Sequence, residues 1–279
     1  MNLRTLSLAE TLNFAICNRL PRLAASRLMR SISRIEHPWF VHPALWVWKK
    51  TSRMNLSDSD QAKFKSIHDC FTRGLRPGSR PLAEATLVSP CDGTLGAFGY
   101  VRQGFALQIK GSSYALSELL QNRTLVAQFE GGFYATIRIK PHQYHRLHAP
   151  HTGQLQQVHW LHGDQFNINP PALKRIAGLF CRNERLVIQA VHTNGDKLLI
   201  IPVAAVLVGG IQLHAAGHTF SQNYTGDKHI ALNTQVEAGQ EIGWFEHGST
   251  VIVISEKPLQ LGGGLALGSP LKMGEVLAI

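Results

Sequence analysis

From residue 83 onward the chain is a succession of short apolar runs separated by Gly and Pro, and this pattern restricts the fold most. Residues 186–191, 203–208 and 250–254 are rich in β-branched side chains, and apolar and polar residues alternate between positions 133 and 140. Successive side chains of a strand point to opposite faces, so a period of two predicts a half-buried strand. We therefore expect an antiparallel or mixed β-rich domain over residues 83–279.

The first 82 residues follow a different period. Apolar side chains recur every three or four positions with arginines between them, the pattern of an amphipathic helix; they are Leu8, Leu12, Ile16, Leu20, Leu23, Leu28, Ile32 and Ile35. Pro21 is expected to interrupt the pattern. Two short helices are also expected later, at residues 115–120 and 171–177. The predicted fold class is α+β: N-terminal amphipathic helices in residues 1–82, then a β-rich, sandwich-like domain in residues 83–279.

Positive charge is concentrated near the N-terminus, where residues 1–50 carry a net +6 of the chain's +10. A basic block can bind an anionic lipid surface or nucleic acid. Residues 46–50 (WVWKK) place aromatic rings beside lysines, which favours a lipid headgroup boundary, so no nucleic acid is expected. The alternative, helices docked on the protein's own core, stays open. The arginines of residues 71–81 could bind acidic headgroups or lie in solvent.

Several other site types are not indicated. The four cysteines form no Cys-x-x-Cys pair, which disfavours a zinc finger or a thioredoxin-type site. No segment reaches the ~18 continuous apolar residues that suggest a membrane-spanning helix. Residues 198–211 contain Pro202 and two glycines, and we interpret them as buried strand. No signal peptide is expected at the N-terminus.

Four polar blocks could carry chemistry, and each has a simpler explanation. In residues 89–96 (SPCDGTLG), Asp92 can be an ordinary turn residue before Gly. Residues 142–150 (HQYHRLHAP) could hold metal ligands or simply surface histidines. Residues 179–187 (LFCRNERLV) could be a solvated turn, a buried ionic network or a phosphate site. Residues 239–252 (GQEIGWFEHGSTVI) contain a Gly-Ser-Thr turn.

Together and in this order, the blocks resemble the signature blocks of the phosphatidylserine decarboxylases. Lesser resemblances lie at residues 71–77, 109–116 and 166–170, and the similarity is expected to span about residues 60–279 without the first 50. Three positions depart from the family pattern: His142 stands where Arg is frequent, Gln143 where Asp is common, and His247 where Leu is usual. Ser269, in Leu-Gly-Ser-Pro, is a weaker candidate serine because no apolar strand follows it.

The resemblance implies that the chain cuts itself between Gly248 and Ser249. Ser249 would be the nucleophile, His148 would accept its proton, and Asp92 would orient and stabilise that histidine. The products would be a chain of residues 1–248 and a chain of residues 249–279 that stay associated. Ser249 would become a pyruvoyl group, with no metal required.

The implied activity is decarboxylation of phosphatidylserine to phosphatidylethanolamine through a Schiff base with the pyruvoyl group. His145 would assist decarboxylation and protonation, and Tyr144, Arg182 and Arg185 are candidates for substrate binding. The enzyme would bind an anionic membrane peripherally, at its cytoplasmic face. The sequence leaves homo-oligomer formation open.

Three alternatives compete with this interpretation. In a metallopeptidase-like or phosphocarrier domain, His142, His145 and His148 would be metal ligands or a phosphoryl acceptor. In a non-catalytic lipid-binding relative, His247 would have disabled processing. In the third alternative, the pyruvoyl chemistry acts on another amino substrate, for instance a soluble amino acid.

Overall fold

A computed structural model describes residues 22–52, 54–109, 112–205, 210–246 and 249–279. The helical pattern predicted before Pro21 and the departure at His247 lie outside these residues. The part of the predicted strand 203–208 that follows Ala205 also lies outside them. Among the described helices, none combines the length and the apolar content that crossing a bilayer requires.

From residue 22 onward, three helices precede the strands, which confirms the predicted N-terminal helices. They are α1 (Arg22–Ser33), α2 (Pro38–Ser52) and α3 (Ile67–Phe71). Pro38 starts α2 at a position where its missing N–H costs nothing, and Ser66 caps α3 by accepting a hydrogen bond from Asp69 N at 3.0 Å. Helix α2 has two different faces: Val41 is buried, whereas Trp39 and Trp46 are 87% and 63% exposed.

The remaining chain forms strands connected mostly by short turns, and the β-rich α+β class is confirmed. The strands are β1 (Leu87–Val88), β2 (Gly93–Tyr100), β3 (Phe105–Ile109), β4 (Ser112–Ala115), β5 (Phe133–Ile139), β6 (Arg146–His148), β7 (Gly153–Leu161), β8 (Arg185–His192), β9 (Lys197–Ala204), β10 (Ile211–Leu213), β11 (His218–Phe220), β12 (His229–Val236), β13 (Glu241–Phe245), β14 (Ser249–Ser255), β15 (Pro270–Leu271) and β16 (Val276–Ala278). Four short helices lie among them: α4 (Leu116–Leu120), α5 (Arg123–Gln128), α6 (Pro170–Arg175) and α7 (Leu179–Arg182). The helices expected at residues 115–120 and 171–177 correspond to α4 and α6.

Two antiparallel sheets contain twelve of these strands, and the other four form the two-stranded pairs β1-β16 and β3-β4. The larger has the order β12-β7-β8-β9-β14-β5-β2-β15, and the smaller has the order β11-β10-β13-β6. Strand β14 is therefore central in the larger sheet, between β9 and β5, whereas β13 belongs to the smaller sheet. Between Phe245 and Ser249 the chain crosses from one sheet to the other.

Strand β5 corrects the expectation of a half-buried strand. Its apolar positions are buried as predicted, but Tyr134 and Thr136 on the opposite face are also buried. The strands and helices between residues 105 and 128 account for this, since Tyr134 Oη accepts a hydrogen bond from Leu107 N at 3.0 Å. Within residues 133–140, only Arg138 and Lys140 retain access to solvent.

In the basic segment at residues 71–81, Arg76 is exposed, but Arg73 and Arg80 follow neither alternative that the sequence left open. Arg73 is buried and donates to the carbonyl oxygens of Cys70 at 3.0 Å and His142 at 3.2 Å. Arg80 is ion-paired with Asp58 at 2.8 Å and with Asp92 at 2.6 Å. These arginines fasten the N-terminal segment to the strand domain.

Candidate active site

The candidate site lies where the chain passes from β13 to β14. Ser249 is the first residue of β14 and lies opposite Ile139 of β5 and Ala204 of β9. Gly248 lies outside the described residues. The histidine block runs alongside, because Phe245 N donates to the His145 carbonyl oxygen at 3.0 Å. The block around Asp92 is adjacent as well, since His148 N donates to the Pro90 carbonyl oxygen at 2.8 Å.

The His148 ring is buried and both of its nitrogens have partners. Nδ1 lies 2.8 Å from the Gly239 carbonyl oxygen, which can only accept, so Nδ1 carries a proton. In the neutral ring Nε2 then has a lone pair, which accepts from the Tyr144 hydroxyl at 2.9 Å. Burial lowers the pKa of His148 below 6.5, and the Gly239 hydrogen bond and the Glu241 and Asp92 carboxylates only partly offset this. The ring is therefore held neutral with Nε2 as its basic atom.

Asp92 does not make the hydrogen bond to His148 that its expected orienting role would use. Its carboxylate accepts from Arg80 Nε at 2.9 Å, from the second Arg80 nitrogen at 2.6 Å, and from Met273 N at 2.9 Å. The orientation of the His148 ring comes instead from Gly239 and Tyr144. Asp92 acts on the histidine through its charge, which raises the pKa of His148 slightly against the effect of burial.

His145 is fully buried and packs against the N-terminal helices. Its ring stacks on Phe71 of α3 with 3.8 Å between centroids. Its Nδ1 lies 2.8 Å from the Gln143 carbonyl oxygen, which can only accept, so Nδ1 carries a proton. The N-terminal segment therefore supports one of the two histidines that the sequence singled out.

A cavity of about 580 Å³ opens beside the start of β14. Helices α1, α2 and α3 form one side of it, through Met29, Trp48 and Phe71. The sheet and the loop before α6 form the other side, and the polar members of the lining are Ser33, Thr94, Arg138, Lys140, Asn167, Asn169 and Thr250. Most of the lining is apolar, so the cavity suits a ligand with a large apolar part and a few charged groups.

Arg185 is corrected as a candidate for substrate binding. It is fully buried, and its guanidinium donates to the carbonyl oxygens of Leu119, Cys181, Asn183 and Glu118 at 2.7–2.8 Å. Burial lowers its pKa to about 10. A guanidinium held by four carbonyls in the core cannot reach a ligand, so Arg185 ties α4 and α7 to β8.

The other two candidates for substrate binding have different surroundings. Tyr144 is buried and its hydroxyl is used by His148, while burial raises the pKa of that hydroxyl well above its ordinary value. Arg182 is exposed at the end of α7 and is not among the described residues that line the cavity. A direct contact between either residue and a ligand remains a prediction.

Asn183 connects two walls of the cavity. Its Nδ2 donates to the carbonyl oxygens of Phe166 at 2.9 Å and Ala204 at 2.8 Å, and its Oδ1 accepts from Phe166 N at 2.9 Å. Phe166 leads into the lining residues Asn167 and Asn169, and Ala204 faces Ser249 in the sheet. The buried polar residues of block 179–187 therefore form a hydrogen-bond network rather than the ionic network that the sequence left open, and this network fixes the backbone around the cavity.

Sequence reasoning missed Arg80, Gly239 and Arg138. The carbonyl of Gly239 and the ion pair of Arg80 bring together positions far apart in the chain, and no local pattern indicates them. Arg138 did leave a signal: it is an arginine inside a strand whose neighbours are nearly all apolar or aromatic. The metal-ligand alternative finds no support, since the described residues contain no group of three or more His, Cys, Asp or Glu side chains placed to hold a metal ion.

Comparison with known proteins decides the family. A family model described as phosphatidylserine decarboxylase matches residues 67–279. The chain belongs to the phosphatidylserine decarboxylase family. Its relatives include a phosphatidylserine decarboxylase proenzyme from Halorhodospira halophila (strain DSM 244 / SL1), 35% identical over 97% of this chain and 94% of the relative. A proenzyme of the same name from Brevibacillus brevis (strain 47 / JCM 6285 / NBRC 100599) is 33% identical over 94% of this chain and 96% of the relative.

The extent of this similarity corrects one expectation. The family model begins at residue 67, in agreement with the expected start near residue 60, but the match to the Halorhodospira halophila proenzyme covers 97% of this chain and so includes most of the first 50 residues, which were expected to lie outside the resemblance. The N-terminal helices, which line the cavity and support His145, therefore belong to what this phosphatidylserine decarboxylase family member shares with its relatives.

Proposed function

We propose that this protein is a self-processing phosphatidylserine decarboxylase. It would cleave the Gly248–Ser249 bond, convert Ser249 into a pyruvoyl group, and form phosphatidylethanolamine from phosphatidylserine. The observation that carries the proposal is the position of Ser249. It starts a central strand of the larger sheet, where the chain enters from the smaller sheet, and the next residue, Thr250, lines an apolar cavity, in a chain whose relatives are named proenzymes.

Self-cleavage would begin at the Ser249 hydroxyl, a weak nucleophile that needs a base. Its oxygen attacks the Gly248 carbonyl carbon while His148 Nε2 accepts its proton. The peptide C–N bond breaks, the Ser249 nitrogen takes up the proton, and an ester joins residues 248 and 249. The lone pair that Gly239 assigns to Nε2 supports this role. Tyr144 shares that nitrogen and would have to release it.

The ester would then eliminate. Removal of the proton on the Ser249 Cα expels the Gly248 carboxylate and leaves dehydroalanine, which takes up water, releases ammonia and becomes the pyruvoyl group. The adjacent residue Thr250 lines the cavity, and its buried hydroxyl has no hydrogen-bond partner among the described residues. That hydroxyl could donate to the new carbonyl group.

The pyruvoyl group supplies a sink for the electrons that carbon dioxide leaves behind. The chain's residues would do the rest. The apolar cavity would hold the substrate and exclude water, which strengthens electrostatic interactions inside it. His145, when protonated at Nε2, would return a proton to the substrate carbon. Phe71 and the Gln143 carbonyl oxygen hold its ring in place for that transfer.

The two products of cleavage would stay together. The shorter chain, residues 249–279, would contribute β14, β15 and β16. Strand β14 pairs with β9 and β5, β15 pairs with β2, and β16 pairs with β1. Every one of these partners belongs to the longer chain, so separating the products would break the centre of the larger sheet.

Peripheral membrane binding through residues 1–82 is the third part of the proposal. Trp39 and Trp46 lie seven positions apart and so share the outer face of α2, with Lys50 Nζ 5.0 Å from the Trp46 ring centroid. Trp48 faces the cavity from the other side of the helix. Exposed tryptophans beside lysines suit an anionic lipid surface, where each basic residue contributes about 1 kcal/mol. A membrane on this face would place lipid next to the cavity.

The activity can be tested with vesicles that contain phosphatidylserine. The wild-type protein is expected to release carbon dioxide and form phosphatidylethanolamine, and Ser249→Ala is expected to form none. Ser269→Ala is the matched control and should behave as wild type. Release of carbon dioxide from free serine but not from the phospholipid would contradict the proposed substrate. Full activity in Ser249→Ala would contradict the proposed cofactor.

A further inference from the structure

Arg138 lies in the wall of the cavity, next to the proposed reaction centre. It occupies β5 between Thr94 of β2 and Thr250 of β14, its direct neighbours across the sheet. All three residues line the cavity. Since Ser249 immediately precedes Thr250, Arg138 is one position along the sheet from the residue opposite Ser249.

The Arg138 guanidinium has no polar partner in the part of the chain that the structure describes. Among the described residues it takes part in no hydrogen bond and no ion pair, unlike Arg73, Arg80 and Arg185. Burial lowers the pKa of Arg138, and no nearby carboxylate offsets that effect. A partly buried cation facing a mostly apolar cavity is costly unless an anion pairs with it. The arrangement therefore favours an anionic group of a ligand.

Gly96 makes room for this guanidinium. A Cβ atom built on Gly96 would lie 3.3 Å from Arg138 Nε and 3.4 Å from its Cγ. That is closer than side chains usually approach, so an alanine there would push the arginine aside. The glycine in β2 thus allows Arg138 to lie across the strand toward the cavity.

We infer that Arg138 binds the phosphodiester of the phospholipid substrate and so determines specificity for a phosphorylated headgroup. This inference rests on the proposed function. Phosphatidylserine offers two anions, and they make different demands. An arginine paired with the carboxylate would stabilise the substrate more than the transition state, because the carboxylate loses its charge as carbon dioxide leaves. The phosphodiester keeps its charge throughout the reaction, so an arginine paired with it does not oppose decarboxylation. Arginine also matches phosphate oxygens bidentately, and the apolar lining accommodates the rest of the lipid.

The test compares Arg138→Gln with Arg102→Gln, an exposed arginine that does not line the cavity. Self-cleavage needs no substrate, so both variants are expected to be cleaved as wild type. For Arg138→Gln, KM for phosphatidylserine in mixed micelles is expected to rise about tenfold or more while kcat changes less than about threefold. Arg138→Lys should recover part of the loss, and Gly96→Ala should raise KM by a smaller factor.

Product inhibition identifies the anion. Phosphatidylethanolamine keeps the phosphodiester but lacks the carboxylate, so Arg138→Gln should weaken its inhibition by the same factor as it raises KM. Unchanged KM would overturn the inference, and so would a raised KM with unchanged inhibition, which would assign Arg138 to the carboxylate. Loss of cleavage in Arg138→Gln alone would also overturn it. A wild-type protein that is not cleaved would instead contradict the proposed function.

Discussion

Two polar regions attracted attention in the sequence, and the structure uses them in opposite ways. Around Arg185, the buried polar side chains all have hydrogen-bond partners: four carbonyl oxygens accept from the guanidinium, Asn183 bonds to Phe166 and Ala204, and Glu184 accepts from Gln222 at 2.7 Å. Around His148, the rings of His145 and His148 are each held through Nδ1 by a backbone carbonyl, and in His148 this leaves Nε2 as the basic nitrogen. The two polar blocks are equally prominent in the sequence. The block around Arg185 stabilises the packing of the core, whereas the block around His148 suits proton transfer.

The largest effect on stability is expected from removing the buried Arg185 guanidinium. Arg185→Met leaves four buried carbonyl oxygens without donors, so the free energy of unfolding in urea should fall by about 3–5 kcal/mol. Arg182→Gln, three residues earlier and exposed, should change it by less than about 0.5 kcal/mol. If Arg185→Met were as stable as wild type, the hydrogen bonds of the guanidinium would not stabilise the packing of α4 and α7 on β8.

The pH dependence of the cleavage rate tests the role proposed for His148. Cleavage would need neutral His148, because protonation of Nε2 removes the lone pair that accepts the serine proton. Burial lowers the pKa of His148 below 6.5. The cleavage rate of freshly refolded chain, followed by gel electrophoresis, should therefore be constant above about pH 7 and fall up to tenfold per pH unit below the lowered pKa.

The control for this profile is the fold of Ser249→Ala, monitored by tryptophan fluorescence over the same pH range. It should stay constant where the cleavage rate of the wild-type chain falls. A rate that already declines between pH 8 and pH 7 would mean that the base has a raised pKa, which contradicts the assignment to buried His148.

The smallest expected effect concerns the contact between the helices and the strand end. Arg34 at the end of α1 is ion-paired with Glu246, which precedes the proposed cleavage site and also accepts from Trp244 Nε1 at 3.2 Å. The Arg34 side chain is 51% exposed, so solvent weakens the pair. Arg34→Gln should lower the free energy of unfolding by about 0.5–1 kcal/mol, and Arg27→Gln should not change it measurably. A loss as large as that for Arg185→Met would show that the two regions are held equally firmly.

The strand pattern was predictable because it is local. The apolar run at residues 250–254 became β14, and the run at 186–191 became β8, since β-branched side chains between turn residues suit a buried sheet. The order of the polar blocks also indicated the family. The period-two rule failed at Tyr134 and Thr136, because elements between residues 105 and 128 cover the second face of β5.

The partners of the site's polar groups were not predictable. Asp92 was expected beside His148, but Arg80 and Met273 bind its carboxylate and Gly239 orients the histidine. Arg185 was expected at a substrate and lies in the core. In each case the deciding contact joins residues distant in the chain, and motif spacing carries no information about which of two candidate groups comes closer.

The central claim is that Ser249 cuts the chain and becomes the reactive group, and intact masses of the purified protein test it most directly. The account predicts two chains, residues 1–248 and residues 249–279, the shorter with a blocked N-terminus of pyruvoyl mass. Ser249→Ala should give one uncut chain, and Ser269→Ala should give the same two chains as wild type. A folded wild-type protein that remains a single chain, or a cut at another bond, would contradict the account.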